Sequence, residues 1–267
     1  MNIANQILFA VVITSVTGTA AYGLWRLLMN SRFCTKPQYV YLALFLVCLL
    51  YLIPLDYGWM QMTIHGYLQK EGIWQINFSL TGFLWILAFF AAVCWLALMA
   101  KGITEFAGSL RGMKRIQMRD IPEEEEAVRE EFARVKKKLG IRSNIRLYRN
   151  DRITSPMLAG IFRCRVVLPD IAYDRKHLSV IFHHELMHYK SHDPFVRLCG
   201  MCVTAVHHIN PLTGNLMVLL DEWSEIYCDA RAIAAISDEM DAGCYFEMII
   251  ESVKHSPVTD ENYIFSM

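Results

Sequence analysis

The chain has 267 residues and no formal net charge, with 26 basic and 26 acidic side chains. Hydrophobic residues make up 54% of it and charged residues only 19%, below the roughly 25% of a typical soluble domain. The lack of a basic surplus argues against direct nucleic-acid binding, and the apolar surplus favours membrane spans over one large soluble core. The distribution of the eight cysteines does not indicate a disulfide framework.

Three apolar segments dominate the first hundred residues. Residues 3–29 have Arg26 as their only charged residue, and residues 39–55 and 76–100 have none. Because a helix needs about 20 apolar residues to cross a bilayer, we predict three transmembrane helices. The first segment lacks the basic start of a signal peptide and is too long for one.

Basic residues set the expected orientation of these helices. Three lie between the end of the first segment and the start of the second: Arg26, within the last residues of the first segment, and Arg32 and Lys36 after it. Five follow the third segment: Lys101, Arg111, Lys114, Arg115 and Arg119. Lys70 is the single basic residue between the second and third segments. Because loops rich in lysine and arginine stay in the cytoplasm, we predict that residues 1–100 form a three-helix transmembrane region with its N-terminus outside, and that residues 101–267 form a cytoplasmic domain.

The later half of the chain predicts a mixture of helices and short strands. Residues 121–139 begin with acids and end with lysines, which predicts a helix that Gly140 stops. Alternating apolar residues predict short strands at 145–148, 155–160 and 165–169. A helix is predicted next, from His177 to Ser191. The edge of such a small sheet can hold an extended substrate by adding a strand.

The run His184-Glu185-Leu186-Met187-His188 is the strongest chemical signal in the sequence. Residues four apart share one face of a helix, so both imidazoles can reach one ion with Glu185 beside them. The pattern H-E-x-x-H is typical of zinc peptidases, in which the glutamate acts as general base. We therefore predict His184 and His188 as zinc ligands and Glu185 as the catalytic residue.

A third ligand is expected downstream, where Glu225 and Asp229 lie four residues apart on one helical face. Glu225 can complete a site of two histidines and one glutamate, with Glu222 as the rival candidate. Asp229 is then expected to accept a hydrogen bond from one of the ligand histidines.

The segment between these motifs tests this assignment. Residues 198–220 are uncharged and long enough to cross a membrane. A straight crossing would leave Glu225 about 30 Å from the histidines, whereas zinc ligands lie about 2.0–2.2 Å from the ion. Asn210-Pro211 predicts a helix break, so we expect an apolar helical hairpin at about 195–220 that returns the chain to the same side. The remaining histidines of this region are expected to form hydrogen bonds or interfaces: His183, His192, His207 and His208.

Several linked motifs resemble the BlaR/MecR family of membrane metallopeptidases. They are His-Glu-Leu-Met-His at 184–188, His-Ile-Asn-Pro-Leu at 208–212, and Glu225 followed by Cys228-Asp229. Ser155-Pro156 through Leu168-Pro169 also resembles the strand pair before the zinc helix of that family. The resemblance covers nearly the whole chain. It implies a mainly α membrane protein with transmembrane helices and a cytoplasmic α+β zincin-like domain of the gluzincin type.

The resemblance also implies a function and partners. His184, His188 and Glu225 would hold Zn²⁺, and Glu185 would be the catalytic base of an endopeptidase. Its protein substrate would be a transcriptional repressor or the protease itself, in signalling of the antibiotic-sensor type. The implied partners are that substrate and the lipid bilayer, and no direct contact to nucleic acid is expected. The resemblance leaves the oligomeric state undetermined, and a homodimer is one of the possible states. Antibiotic-sensing members carry a fourth span and an extracellular penicillin-binding sensor, which the sequence up to Met267 does not show, so we expect a fragment or a relative without the sensor.

Two other classes of protein fit parts of the pattern. Prenyl-protein and quality-control membrane zinc proteases share H-E-x-x-H and a later Glu-x-x-x-Asp, but Asn210-Pro211 and Cys228 weigh against them. A membrane receptor or scaffold with a vestigial metal site is the non-enzymatic alternative. An intact Glu185 disfavours it, because a purely structural site needs no base.

Overall fold

The computed structural model describes residues 3–30, 36–54, 90, 93–105, 107–108, 111–112, 114 and 119–254. In chain order the elements are α1 (Ile3–Asn30), α2 (Pro37–Leu52), β1 (Ile121–Pro122), α3 (Glu126–Lys138), β2 (Arg146–Asn150), β3 (Met157–Ala159), β4 (Arg165–Pro169), α4 (Arg175–Lys190), α5 (Asp193–Val206), α6 (Pro211–Ile236) and α7 (Ala242–Lys254). Residues 93–105 are also helical. The predicted fold class is confirmed in its coarse form, a mainly helical protein with a small mixed sheet.

The chain forms two compact units. The first comprises Met1–Gly108 and Cys199–Leu220, and the second comprises Ser109–Leu198 and Asp221–Met267. The sequence placed the boundary near residue 100 and assigned the apolar segment around 195–220 to the later domain. In the structure, Cys199–Leu220 belongs to the same compact unit as the N-terminal helices, and its His207 and Asn210 contact α2 and α1.

The first unit contains the predicted membrane segments. Within the part of the chain that is described, α1 has a stretch, Ala10–Met29, that is long and apolar enough to cross a membrane, and α2 is a shorter apolar helix. Of the third predicted segment, residues 76–89 and 91–92 lie outside the described residues. Gly18 packs α1 against α2, because a Cβ atom there would lie 2.5 Å from the ring of Tyr51.

The second unit is built around a four-stranded sheet of order β1-β2-β4-β3. Strands β2 and β4 are parallel, and β1 and β3 pair antiparallel with their neighbours. One prediction is wrong here: Ile121 and Pro122 form β1 instead of opening a helix, and α3 starts at Glu126. A residue before proline is disfavoured in the α region, and an edge strand tolerates proline. The predicted end of α3 is confirmed, since Gly140 follows it with a φ of +68°.

The core of this unit holds the motif helix α4 in place. Phe182 on α4 meets Phe132 on α3 edge to face, with 5.1 Å between the ring centroids. Leu186 and Met187 are buried in the same apolar cluster. Because Leu186 lies on the side of the helix opposite to His184 and His188, its burial turns both histidines away from the core.

Helices α5 and α6 form a hairpin around residues 207–210. Asn210 ends the turn, where its Oδ1 accepts the Leu212 backbone N–H at 3.1 Å, and Pro211 begins α6. The two helices pack closely where Gly200 of α5 faces Met217 of α6. A Cβ atom on Gly200 would lie only 2.6 Å from the Met217 sulfur. The two helices therefore run antiparallel, and the chain turns back within its membrane-length apolar segment.

Polar contacts fasten the tip of this hairpin inside the first unit. His207 Nε2 donates to the backbone carbonyl of Tyr51 at 2.9 Å, and Asn210 Nδ2 donates to Thr19 Oγ1 at 2.8 Å. Thr19 Oγ1 in turn lies 3.0 Å from the Tyr51 hydroxyl. His207 is thus a hydrogen-bonding residue, as expected from the sequence.

Candidate metal centre

Two histidines of α4 and one glutamate of α6 lie close together in the second unit. The Nε2 atoms of His184 and His188 are 3.1 Å apart. Glu225 Oε2 lies 3.4 Å from Nε2 of His184 and 3.5 Å from Nε2 of His188. Four ligands held about 2.0–2.2 Å from a tetrahedral ion lie about 3.3–3.6 Å from each other. The two distances to Glu225 fall in this range, and the 3.1 Å between the histidine nitrogens is slightly shorter, so small side-chain shifts would let the three atoms hold one tetrahedral zinc ion.

The exposure of the three side chains leaves one face of this triangle open. The His184 and His188 side chains are each 13% exposed, whereas that of Glu225 is 50% exposed. The imidazoles are thus held by protein, and the glutamate lies at the solvent side. An ion bound here would keep a position that a water molecule or a substrate can occupy, as catalytic zinc sites do.

His184 is oriented by residues from two other helices. Its Nδ1 donates to Asp229 Oδ1 on α6 at 3.0 Å. Tyr245 on α7, which is fully buried, donates its hydroxyl to the same carboxylate oxygen at 2.9 Å. The sequence predicted that Asp229 would accept a hydrogen bond from a ligand histidine, and the structure places it there. It did not predict Tyr245, which lies in an amphipathic helix without a motif.

His188 is oriented by a residue that the sequence analysis missed. Its Nδ1 donates to Asp193 Oδ2 at 2.5 Å. Asp193 is the first residue of α5 and follows His192, which has a φ of +58°. The sequence offered one signal, an aspartate five residues after the motif's second histidine. That signal becomes informative only with the turn at His192, after which the Asp193 carboxylate lies within hydrogen-bonding distance of His188.

The hydrogen bonds settle which nitrogen of each imidazole faces the site. Both Nδ1 atoms face carboxylates that accept their protons, so each Nε2 atom faces the donor triangle and carries a lone pair whenever its imidazole is neutral. Two lone pairs 3.1 Å apart, with a carboxylate beside them, repel each other unless a cation lies between them. The residues present therefore fit a divalent metal ion.

Electrostatics point the same way. Burial by itself lowers the pKa of His184, but its hydrogen bonds to Asp229 and Glu225 outweigh burial and raise it to about 9. The pKa of His188 is also raised, because the hydrogen bond to Asp193 outweighs burial. Burial raises the pKa of Glu225, yet the two histidines bring it far below its ordinary value. The surroundings thus favour positive charge between these groups.

The remaining predicted residues have different positions. Glu185 is 7% exposed and close enough to His184 for its charge to raise that histidine's pKa. Among the described residues, Glu225 and not its rival Glu222 joins the two histidines as a possible ligand group. His183 is fully buried, with Nδ1 donating to the Ser179 carbonyl at 2.7 Å, so it has a hydrogen-bonding role.

A second group of possible ligands overlaps the first: His188, Asp193 and Cys228. Burial raises the pKa of the Cys228 thiol, whereas metals bind the thiolate. The thiol also donates to Asp193 Oδ2 at 3.2 Å. We therefore assign this group to hydrogen bonding around His188.

Comparison with known proteins agrees with this geometry. Comparison with curated proteins found no match. A family model described as BlaR1 peptidase M56 matches residues 7–266, which is nearly the whole chain. This match confirms the resemblance seen in the sequence motifs and supports a peptidase. The chain belongs to the BlaR1 peptidase M56 family.

Proposed function

We propose that this protein is an integral-membrane zinc endopeptidase that cleaves a protein substrate at the cytoplasmic side of the membrane. The observation that carries the proposal is the donor triangle of His184, His188 and Glu225, whose spacing suits tetrahedral zinc. Membership of a peptidase family supports the reaction class. An intact Glu185 beside the triangle supports an active enzyme over a receptor with a vestigial site.

Each residue has a defined task in the proposed reaction. When bound, zinc would lower the pKa of a water molecule and polarise the scissile carbonyl. The Glu185 carboxylate takes the proton from the attacking water and then passes it to the leaving amine. Asp229 and Asp193 keep the protons of His184 and His188 on Nδ1, so that both Nε2 atoms remain available as ligands.

The β3 edge of the sheet supports binding of an extended peptide substrate. Strand β3 lies at one edge of the sheet, and its outer side is unpaired within the described residues. Leu158 of β3 packs against the apolar cluster that contains Leu186 and Met187 of the motif helix. An extended peptide that adds to this edge would pass beside the helix that carries the histidines. We therefore propose an extended stretch of a protein substrate as the ligand.

Membrane attachment and signalling complete the proposal. Helix α1 supports a membrane location, and the basic residues that follow the apolar segments support a cytoplasmic peptidase domain. By its resemblance to antibiotic-sensing members of the family, we propose a regulatory substrate, either a transcriptional repressor or the protease itself. Reporter fusions at the N-terminus and after Lys254 test the orientation. A cytoplasmic N-terminal reporter contradicts it.

The decisive experiment uses the full chain in bilayer nanodiscs and in cells. Glu185→Gln should leave zinc bound, as measured by metal analysis, and abolish cleavage, because the amide cannot accept the proton. Newly formed protein termini should appear in cells that express the wild type and be absent with the variant. Glu222→Gln, on α6, is the matched control and should cleave normally. Undiminished proteolysis by the Glu185→Gln variant would contradict the role of Glu185 as catalytic base. A wild-type protein that binds no zinc would contradict the assignment of the metal site.

A further inference from the structure

Asp193 brings together donors from two helices at one oxygen atom. Its Oδ2 accepts hydrogen bonds from His188 Nδ1 at 2.5 Å, Ser224 Oγ at 2.6 Å and Cys228 Sγ at 3.2 Å. Asp193, Ser224 and Cys228 are all buried. A buried carboxylate is retained at a cost, and several short hydrogen bonds to its charged form offset that cost.

The hydrogen bond from Ser224 to Asp193 also links two candidate metal ligands. Ser224 directly precedes Glu225 on α6, whereas His188 lies on α4. Asp193 thus connects one candidate ligand to the helical turn that carries another. The next contact between α5 and α6 on the same side, between Arg197 and Asp221 at 3.0 Å, involves no histidine.

We propose that Asp193 is a positioning residue for the metal centre. It holds the proton of His188 on Nδ1, aims Nε2 at the donor triangle and, through Ser224, sets the distance between His188 and Glu225. The inference rests on the proposed function, since the metal that these ligands hold is zinc. Asp193 acts through His188 and touches neither the substrate nor the reacting atoms.

Metal affinity in the absence of substrate tests this role. The full chain is purified in nanodiscs, and its zinc affinity is measured by competition with a chelator of known affinity. Asp193→Asn should weaken zinc binding by about 10–100-fold, the usual effect of losing a carboxylate that orients a ligand histidine. Ser224→Ala should weaken it by about 2–10-fold, because one neutral hydrogen bond is lost. The visible spectrum of the cobalt-substituted chain should also change in Asp193→Asn, since the geometry of the ligands changes.

Asp221→Asn is the matched control, because it breaks another polar contact between the same two helices. Its zinc affinity and cobalt spectrum should stay close to those of the wild type. Equal zinc affinity of Asp193→Asn and Asp221→Asn would overturn the proposal. Should Asp193→Asn fail to fold, unchanged affinity of Ser224→Ala would overturn it as well. Binding of two zinc ions, one of them lost in Cys228→Ser, would make Asp193 a ligand and also overturn it.

A failure of the proposed function gives a different result. A wild-type chain that binds neither zinc nor cobalt contradicts the proposed zinc peptidase function. The inference about Asp193 is then wrong as well, because it rests on that function. A wild type that binds one zinc, loses it in Glu225→Gln and keeps it unchanged in Asp193→Asn supports the metal site and rejects the positioning role alone.

Discussion

Asp229 Oδ1 lies 3.0 Å from Nδ1 of His184, although 45 residues separate the two in sequence. The same oxygen accepts the hydroxyl of the fully buried Tyr245 at 2.9 Å. The Tyr245 hydroxyl also lies 3.0 Å from Nδ1 of His184, so a residue of α7 helps to orient a residue of α4. His184, Asp229 and Tyr245 thus form a closed set of three polar contacts on the Nδ1 side of the His184 ring.

Removal of the charge at Asp229 should weaken metal binding. Asp229→Asn is expected to lower zinc affinity by about 10–100-fold, because a neutral amide replaces the carboxylate acceptor and holds the Nδ1 proton of His184 less strongly. Tyr245→Phe keeps that acceptor and should have a smaller effect. Chelator competition on the full chain measures both. Glu247→Gln, an exposed acid on α7, is the control. Wild-type affinity in Asp229→Asn would show that this contact does not orient a ligand.

Glu225 and Glu222 lie one helical turn apart on α6. Replacing each of them with glutamine therefore shows which of the two glutamates binds zinc. Glu225→Gln should lose zinc at concentrations that saturate the wild type, because a neutral amide oxygen is a weaker ligand than a carboxylate. Glu222→Gln should retain one zinc per chain. Metal analysis after dialysis distinguishes them. The assignment is wrong if zinc is lost from Glu222→Gln and kept by Glu225→Gln.

Gly160 and Gly140 both have positive φ, but only one of them faces a backbone obstacle. A Cβ on Gly160 would lie 2.6 Å from the Arg163 carbonyl oxygen, whereas one on Gly140 would meet nothing within 4 Å. Gly140→Ala should therefore cost about 1–2 kcal/mol, the penalty for a left-handed residue. Gly160→Ala should cost more and disturb the β3–β4 connection. Denaturant unfolding measures both, and equal costs would contradict the clash.

Ionised Glu131 should make the free energy of unfolding of the second unit fall at acidic pH. Its side chain is 1% exposed, and Arg134 and Arg175 donate to it at 2.6 Å and 3.0 Å. Burial by itself raises the pKa of Glu131, but the two arginines outweigh burial and lower it. A lowered pKa in the folded state means that the stabilisation is present above the unfolded value and lost as the pH falls through the folded one.

Glu131→Gln should therefore destabilise the protein at neutral pH by about 1–3 kcal/mol, because it weakens the charge-assisted hydrogen bonds from both arginines, while Arg175 stays largely exposed and Arg134 keeps its contact with Glu239. It should also flatten the loss of stability below about pH 4.5. Part of the acid dependence should persist, because Arg134 and Lys138 also lower the pKa of Glu239, to about 2. Glu130→Gln, on the exposed side of α3, should change little. Unfolding midpoints across pH give the measurement, and identical profiles for the two variants would refute the role of Glu131.

Local patterns in the sequence determined much of this protein. The spacing of His184 and His188 required a shared helical face, and Asn210-Pro211 required a break in the long apolar segment. The short strands followed from alternation and bounding prolines. Among the described residues, Ile121-Pro122 was wrongly assigned to the start of a helix, because these two residues precede an acidic run but pair with β2. Such pairing is a long-range backbone interaction, and local propensity does not report it.

Only the tertiary structure decided which residues surround the histidines. The sequence placed Glu225 and Asp229 on one helical face, but the choice between Glu225 and Glu222 depended on how the α5–α6 hairpin brings α6 against α4. Asp193 and Tyr245 had no sequence motif, because each reaches the site through the packing of its own helix. Short-range spacing placed His184 and His188 on one helical face, whereas the third candidate ligand and the orientation of both imidazoles depend on contacts between distant helices, which form only when the chain folds.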